Sequence, residues 1–384
     1  MRRPLSELLP HEPERILVTA LCPIGDTLML TPALARLRER FPTAHITIVV
    51  SASNEGILID NPCVDERMLI PERGDDPEPA RFARGVRRLS QQRPDLIVNF
   101  SAAGSFVARL AALRAPRISL EMPWLWGLMG TGAEGVHAEE YRRRHAVDHY
   151  LKVLEPLALA PTDAEARTPR FYLSSESRRT ARALLVADGM KPGDTLVTMH
   201  VGGDGFDGRK RWAPERFARV ANYLVERFDA RIVLVGGKAD IPMSNATAAL
   251  IRGNVRTLAG KTPLNVTGAL IEASSLFIGN DSCPLHIAAA VGTPSVGVFG
   301  PSDWREFHPV GKPGYRSHTV HSDLPCAPCF RFVGVKPLWH VNTCYSYACL
   351  KAIDARQVME AAVDLLQETI VQETREPATA PEKR

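Results

Sequence analysis

Asn280-Asp281-Ser282-Cys283-Pro284-Leu285-His286 follows an apolar run, Ser275-Leu276-Phe277-Ile278-Gly279, and precedes small residues, Ile287-Ala288-Ala289-Ala290-Val291. The order reads as strand, polar turn, helix. Such a turn lies at the carboxyl edge of a parallel sheet, where α/β folds bind their ligands. The N–H groups that open a helix favour an anion such as phosphate. The stretch therefore points to a phosphate-bearing small molecule with a polar, sugar-like part. The plainer alternative is an ordinary turn in which Asp281 or Ser282 caps the helix.

The same alternation runs through the rest of the chain. Strands are expected at Arg15–Leu21, His45–Val50, Val64–Ile70 and Asp95–Phe100, with a helix opened by Thr31-Pro32 and a basic helix over about 80–92. Residues 160–178, rich in Pro, Thr, Ser and charge, read as a crossing between domains. A second alternation then has strands at Leu196–His200, Arg231–Val235, Leu276–Gly279 and Ser295–Phe299, and helices at 213–228, 264–273 and 283–291. Strands alternating with helices give parallel, doubly wound sheets. The expected organisation is a flexible leader over 1–14, an N-terminal domain over 15–170 and a C-terminal domain over 171–353. An amphipathic helix over 354–369, packing back on the N-terminal domain, and a disordered tail over 370–384 complete it.

Composition narrows the class. At 384 residues the chain is long for one core. Its 45% hydrophobic and 23% charged residues describe a globular protein. A net charge of +4, with Lys and Arg spread along the chain, gives no nucleic-acid footprint. No apolar run approaches the roughly 20 residues that span a bilayer. Met1-Arg2-Arg3-Pro4-Leu5 lacks a secretory apolar segment, so a cytoplasmic location is expected. Among the seven cysteines, Cys326, Cys329, Cys344 and Cys349 are close in sequence and form a candidate zinc or iron site, with a reduced, packed cluster as the alternative.

Several loops fall at the carboxyl ends of strands. In Cys22-Pro23-Ile24-Gly25-Asp26-Thr27, Asp26 is a candidate general base, or else a cap of the next turn. In His200-Val201-Gly202-Gly203-Asp204-Gly205-Phe206-Asp207-Gly208-Arg209-Lys210-Arg211-Trp212, Gly202 and Gly203 let backbone approach a ligand. The three cations suit a pyrophosphate, or else a solvated basic loop. Trp212 reads as packing. In Val235-Gly236-Gly237-Lys238-Ala239-Asp240, Asp240 is placed to hold a ribose hydroxyl, or else lies in an ordinary turn. The absence of any Asp-x-Asp pair disfavours a metal-clamped diphosphate. On the acceptor side, Arg81, Arg84, Arg87 and Arg88 share one helical face, and Arg142-Arg143-Arg144 forms a second basic cluster. Both suit phosphorylated lipid cores and anionic bilayers, or are solvated faces. Met122-Pro123-Trp124-Leu125-Trp126-Gly127-Leu128-Met129 is core, or a surface for a lipid acceptor.

Taken in order, Ile24-Gly25-Asp26, the run Arg209 to Phe217, Leu258-Ala259-Gly260-Lys261-Thr262, Asp281 to His286, Gly292-Thr293-Pro294 and Phe299-Gly300-Pro301 resemble glycosyltransferase family 9, the ADP-heptose:lipopolysaccharide heptosyltransferases. The resemblance covers about residues 15–366. It implies a GT-B fold, two Rossmann-like doubly wound α/β domains facing a central cleft. It also implies an inverting transferase that needs no cofactor or metal for catalysis. By the same resemblance Asp26 is the base, Lys210 holds the donor pyrophosphate, Asp281 binds the sugar hydroxyls, Ser282 and the helix start hold the phosphates, and His286 lines the pocket. The implied donor is ADP-heptose, the implied acceptor the lipopolysaccharide core, with peripheral contact to an anionic inner membrane from the cytoplasm. Cys283 stands where the family usually has glycine. Family members that glycosylate autotransporter proteins hold iron through four cysteines, at a spacing this chain does not match closely. Transfer to a protein hydroxyl, nucleotide-sugar epimerisation and non-catalytic nucleotide-sugar binding are the alternatives.

Overall fold

The structure is a computed structural model. It describes residues 9, 11–70, 91, 93–101, 113, 115–120, 134–136, 144–159, 163–203, 208–330, 344 and 346–375. The chain divides into two compact units. The first runs to Ser174 and takes back Arg305–Pro313; the second begins at Ser175 and contains the rest of the described chain.

The first unit is built on β1 (Arg15–Ala20), β2 (His45–Ser51), β3 (Glu66–Ile70), β4 (Leu96–Asn99), β5 (Arg117–Leu120) and β6 (Glu134–Val136). All pairs are parallel, and the order is β3-β2-β1-β4-β5-β6. Helices α1 (Ile24–Met29), α2 (Thr31–Arg40) and α3 (Ala146–Lys152) belong to this unit. Ile16, Leu17 and Val18 on β1 and Ile46, Ile48 and Val49 on β2 are essentially inaccessible. Strands covered on both faces read as unbroken apolar runs, which is why these two were legible in sequence.

In the second unit the longer helices are α4 (Ser175–Ala187), α5 (Pro214–Phe228), α6 (Ile241–Ala248), α7 (Leu264–Glu272), α8 (Cys283–Val291) and α9 (Ala355–Arg375). Its strands are β7 (Leu196–His200), β8 (Arg231–Leu234), β9 (Val255–Thr257), β10 (Leu276–Asn280), β11 (Ser295–Phe299) and β12 (Ser317–His321). Their order, β12-β11-β10-β7-β8-β9, is again all parallel. Counted from its own first strand, this is the same winding as in the first sheet. In both it is the 3-2-1-4-5-6 order of nucleotide-binding folds. The direction of winding reverses between β1 and β4 in one sheet and between β7 and β10 in the other, and ligands bind at such switch points.

The C-terminal helix contributes to the core of the second unit. Val358, Ala362, Leu365 and Leu366 of α9 belong to the core of the second unit, with Trp212, Leu276, Val296, Val298 and Val320. The helix lies against β10, β11, β12 and α5. Polar ties fix it: His318 Nε2 meets Asp364 Oδ2 at 2.7 Å, and Arg316 pairs with Glu368. The Arg216 guanidinium donates to the carbonyls of Leu350, Lys351 and Ile353, which anchors the turn leading into α9. Among the described residues no helix is long and apolar enough to cross a membrane.

Candidate active site

At the switch point of the first sheet, β1 ends in the Cys22–Gly25 turn, which places Asp26 in the first turn of α1. Leu21 N–H donates to Ser101 Oγ at 2.8 Å, so the chain leaving β1 is tied to the chain leaving β4. Asp26 accepts a 2.9 Å hydrogen bond from the Tyr150 hydroxyl on α3, 124 residues away in sequence. Tyr150 is 2% exposed and stacks edge-on against Phe100 at 5.9 Å. Burial, reinforced by the charge of Asp26, pushes its phenol well above the ordinary value. It stays protonated and remains a donor. Asn54 Nδ2 reaches the Cys22 carbonyl at 2.8 Å and Thr27 Oγ1 at 2.7 Å, fixing both sides of the turn. Burial raises the Cys22 thiol as well, so it sits here as a neutral group.

The switch point of the second sheet gathers three separate loops. After β10, Asp281 is buried and pairs with Lys210 Nζ at 2.6 Å. His286 Nε2 lies 3.9 Å from the other Asp281 oxygen. Burial alone would raise the Asp281 carboxyl; the charges of Lys210 and His286 outweigh it and hold the pKa below the usual range. Lys210 Nζ also sits 4.8 Å from the centre of the Phe330 ring. The helix-cap alternative for this turn is not what forms. Ser282 occupies the N-cap position of α8 with extended backbone and makes no side-chain cap bond. Its hydroxyl contacts His200 Nδ1 at 2.8 Å and the Asn280 carbonyl at 3.0 Å. Cys283 is buried.

The glycines and cations after β7 have distinct duties. Arg211 Nε donates to the Gly203 carbonyl at 2.9 Å, so this cation holds the loop. Asp240 is buried under the same loop: Oδ1 accepts from Gly203 N–H at 2.9 Å, and Oδ2 from Gly237 N–H at 2.8 Å and His200 Nε2 at 3.2 Å. Burial would raise this carboxyl, but His200 and the two backbone donors hold it far below its ordinary value. Asp240 thus accepts from three protein donors, which ties the loop after β7 to the turn after β8. Gly202 is required by the same carboxylate, since a Cβ there would lie 2.0 Å from Asp240 Oδ1. Gly203, at φ +120°, takes a conformation that L side chains rarely adopt.

Residues 204–207, Arg81, Arg84, Arg87, Arg88, Arg142, Arg143 and the 122–129 segment lie outside the described residues. The four-cysteine metal site is not met: among the described residues no three His, Cys, Asp or Glu side chains are placed to hold an ion. The thiols do influence one another, and burial, helped by its neighbours, pushes Cys349 up to about 11. Cys349 belongs to the second unit's core whereas Cys326 is exposed.

Two residues escaped the sequence reading. His200 was visible as a polar end to a buried strand at the switch point, but its partners come from two other strands. Tyr150 had no local signal at all.

Two parallel sheets wound in the nucleotide-binding order, each with polar groups collected at its switch point, are the two-domain layout of GT-B glycosyltransferases. The sequence model of glycosyltransferase family 9 (heptosyltransferase) matches residues 127–340. That is more than half of the chain, and the chain belongs to this family. It is similar to lipopolysaccharide heptosyltransferase 3 of Escherichia coli (strain K12), 29% identical over 297 residues, with 73% of this chain and 82% of that protein covered. The family 9 glycosyl transferase of Veillonella parvula DSM 2008 superposes with a TM-score of 0.74 at 24% identity, covering 92% of this chain and 97% of the other. E. coli ADP-heptose lps heptosyltransferase II gives 0.70 at 20% identity, covering 92% and 99%.

Proposed function

We propose that this enzyme transfers a heptose from ADP-heptose to a hydroxyl of the lipopolysaccharide core, with inversion at the anomeric carbon and without a catalytic metal. The observation that supports it most is the Lys210–Asp281 pair, with His286, beside the N-terminus of α8. One cation, one sugar-binding carboxylate and a set of helix N–H groups suit a sugar diphosphate. The relatives named for lipopolysaccharide heptose transfer support the choice of sugar and acceptor.

In this reading Asp26 removes the proton of the acceptor hydroxyl as its oxygen bonds to the anomeric carbon. The bond from that carbon to the diphosphate oxygen breaks, and its electron pair leaves with the nucleotide. Lys210 and the α8 N-terminus stabilise the growing negative charge. Asp281 holds the sugar hydroxyls, Ser282 the phosphates, and His286 lines the same pocket. Arg81, Arg84, Arg88, Arg142 and Arg143 supply positive charge that suits a phosphorylated acceptor and the anionic cytoplasmic surface of the inner membrane.

Thermal shift against a panel of nucleotide-sugars tests the donor, since a ligand bound only to the folded state raises Tm. ADP-heptose should raise Tm more than UDP- or GDP-sugars. Incubation with a truncated core acceptor should then give a product whose new linkage is inverted. Release of sugar without acceptor extension, or an epimerised donor, would overturn the assignment.

A further inference from the structure

Ser302 follows β11 by three residues and is 2% exposed. Its hydroxyl oxygen is buried and makes no hydrogen bond among the described residues. A buried hydroxyl left unpaired is costly, so its place calls for a reason. The backbone around it is fixed. Phe330 N–H donates to the Pro301 carbonyl at 2.8 Å and Asp303 N–H to the Phe330 carbonyl at 2.9 Å, which makes Ser302 and Phe330 a parallel bridge beyond the end of β11. The Phe330 ring lies 4.8 Å from Lys210 Nζ, and that nitrogen is 2.6 Å from Asp281 Oδ2. Ser302 therefore sits beside the Lys210–Asp281 pair, and a turn about χ1 is enough to re-aim its hydroxyl.

Asp281 already responds to this hydroxyl. Burial would raise the carboxyl; Lys210, His286 and then Ser302 act to lower it. Ser302 is thus close enough to act on the carboxylate, yet is not bonded to it while Lys210 is. A donor diphosphate changes the count. Lys210 is the nearest cation to Asp281, and an ammonium turned toward phosphate leaves a carboxylate that is only 5% exposed beside new negative charge. Such a group needs a hydrogen in place of the one withdrawn. A serine hydroxyl has one to give, and here no described residue accepts it.

We propose that Ser302 is a positioning residue that takes over Asp281 from Lys210 when a nucleoside diphosphate binds. Its hydroxyl turns to donate to the carboxylate, Lys210 is released to the phosphates, and Asp281 stays in place for the sugar hydroxyls. The inference rests on the reading that Lys210 holds the donor diphosphate and Asp281 the sugar. It gives the pair two states, one in which Asp281 holds the lysine and one in which Ser302 has replaced it. Asp281 competes with the diphosphate for Lys210, and Ser302 weakens that competition.

The tests are thermal melts and calorimetric titration of ADP on wild type, Ser302→Ala, Asp281→Asn and the double variant. Without ligand, Ser302→Ala should melt at or slightly above wild type, because it removes a buried hydroxyl that has no partner. Its Kd for ADP should rise about tenfold, as for a lost hydrogen bond to a charged group, and ADP should raise its Tm less. A merely structural serine would do the opposite, lowering Tm without ligand and leaving Kd alone. Asp281→Asn should bind ADP more tightly than wild type, since its neutral amide competes less for Lys210. In that background Ser302→Ala should change Kd by less than about twofold, because the two side chains act as a unit. ADP affinity unchanged in Ser302→Ala, an equal loss with and without the Asp281 carboxylate, or a Ser302→Ala protein destabilised without ligand would each overturn the inference. Should Asp281→Asn not fold, the melt and the titration of Ser302→Ala decide alone. Lys210→Ala separates the inference from the donor site. If it weakens ADP while Ser302→Ala does not, the site stands and the inference falls; if it leaves ADP affinity unchanged, both fall.

Discussion

Asp26 and Lys210 were both legible as candidates because each lies in the stretch that follows a strand readable in sequence. What could not be read is who holds them. Tyr150 donates to Asp26 from a helix 124 residues on, and Asp281 reaches Lys210 across 71 residues. Asp26→Asn should lower kcat by about 10²–10⁴ while ADP affinity stays at the wild-type value; turnover at the normal rate would remove the base assignment. Tyr150→Phe keeps the ring against Phe100 but loses the donated hydrogen bond. A carboxylate deprived of a donor is a weaker anion with a higher pKa, so the acid limb of the kcat/KM profile should move to higher pH. The Lys210–Asp281 pair alters what single variants mean. Lys210→Met takes the nearest cation from a buried carboxylate and leaves it His286 at 3.9 Å, and breaking a buried pair typically costs about 3–5 kcal/mol. Denaturant melts should show Lys210→Met with Asp281→Asn much less destabilised than the sum of the singles. Additive losses would mean that the two side chains do not interact in the free enzyme. Asp281's depressed pKa adds stability that is present above the normal carboxylate range and is lost as pH falls through the folded value.

At the scale of elements, the turn before α8 shows how far a local motif carries. Apolar strand, polar turn and small-residue helix placed β10 and α8 almost to the residue. The motif left open whether Ser282 capped the helix, because a cap and a ligand site use the same residue types. The answer lies in His200, which comes from β7 and takes the hydroxyl. The paired glycines were legible as sites of close approach, but the atom that approaches at Gly202 is Asp240, from the turn after β8. This predicts a specific non-additivity. Gly202→Ala forces Asp240 aside and should cost about 1–3 kcal/mol in stability, as overpacking does. In an Asp240→Gly background the three atoms nearest the new methyl are gone, so Gly202→Ala should cost clearly less there. Equal costs in the two backgrounds, read from urea melts, would show that the carboxylate is not what Gly202 makes room for.

Over the whole molecule, both sheets could be anticipated where strands are buried on two faces, and were missed where they are short or polar. Val255–Thr257 and Glu134–Val136 have three residues each, and Ser317–His321 has only one buried position. The return of Arg305–Pro313 to the first unit is invisible in sequence, since His145 Nε2 meets the His308 carbonyl at 2.8 Å across 163 residues. The C-terminal helix shows what a periodic pattern leaves open. Its apolar stripe announced that it packs, but the stripe carries no address. The address is written in Arg216, which holds the carbonyls before the helix, and in the apolar residues of β10–β12. Since α9 completes the core of the unit that carries Lys210, Asp281 and Ser282, donor binding should depend on it. Ala362 is inaccessible, and Ala362→Asp would bury an unpaired charge in that core. The variant should melt well below wild type and lose the rise in Tm that ADP gives. Gln367→Asp adds the same charge on the exposed face of the same helix and should stay within about 0.5 kcal/mol of wild type, with ADP stabilisation intact. An Ala362→Asp protein that kept both its Tm and its response to ADP would show that α9 is not part of that core.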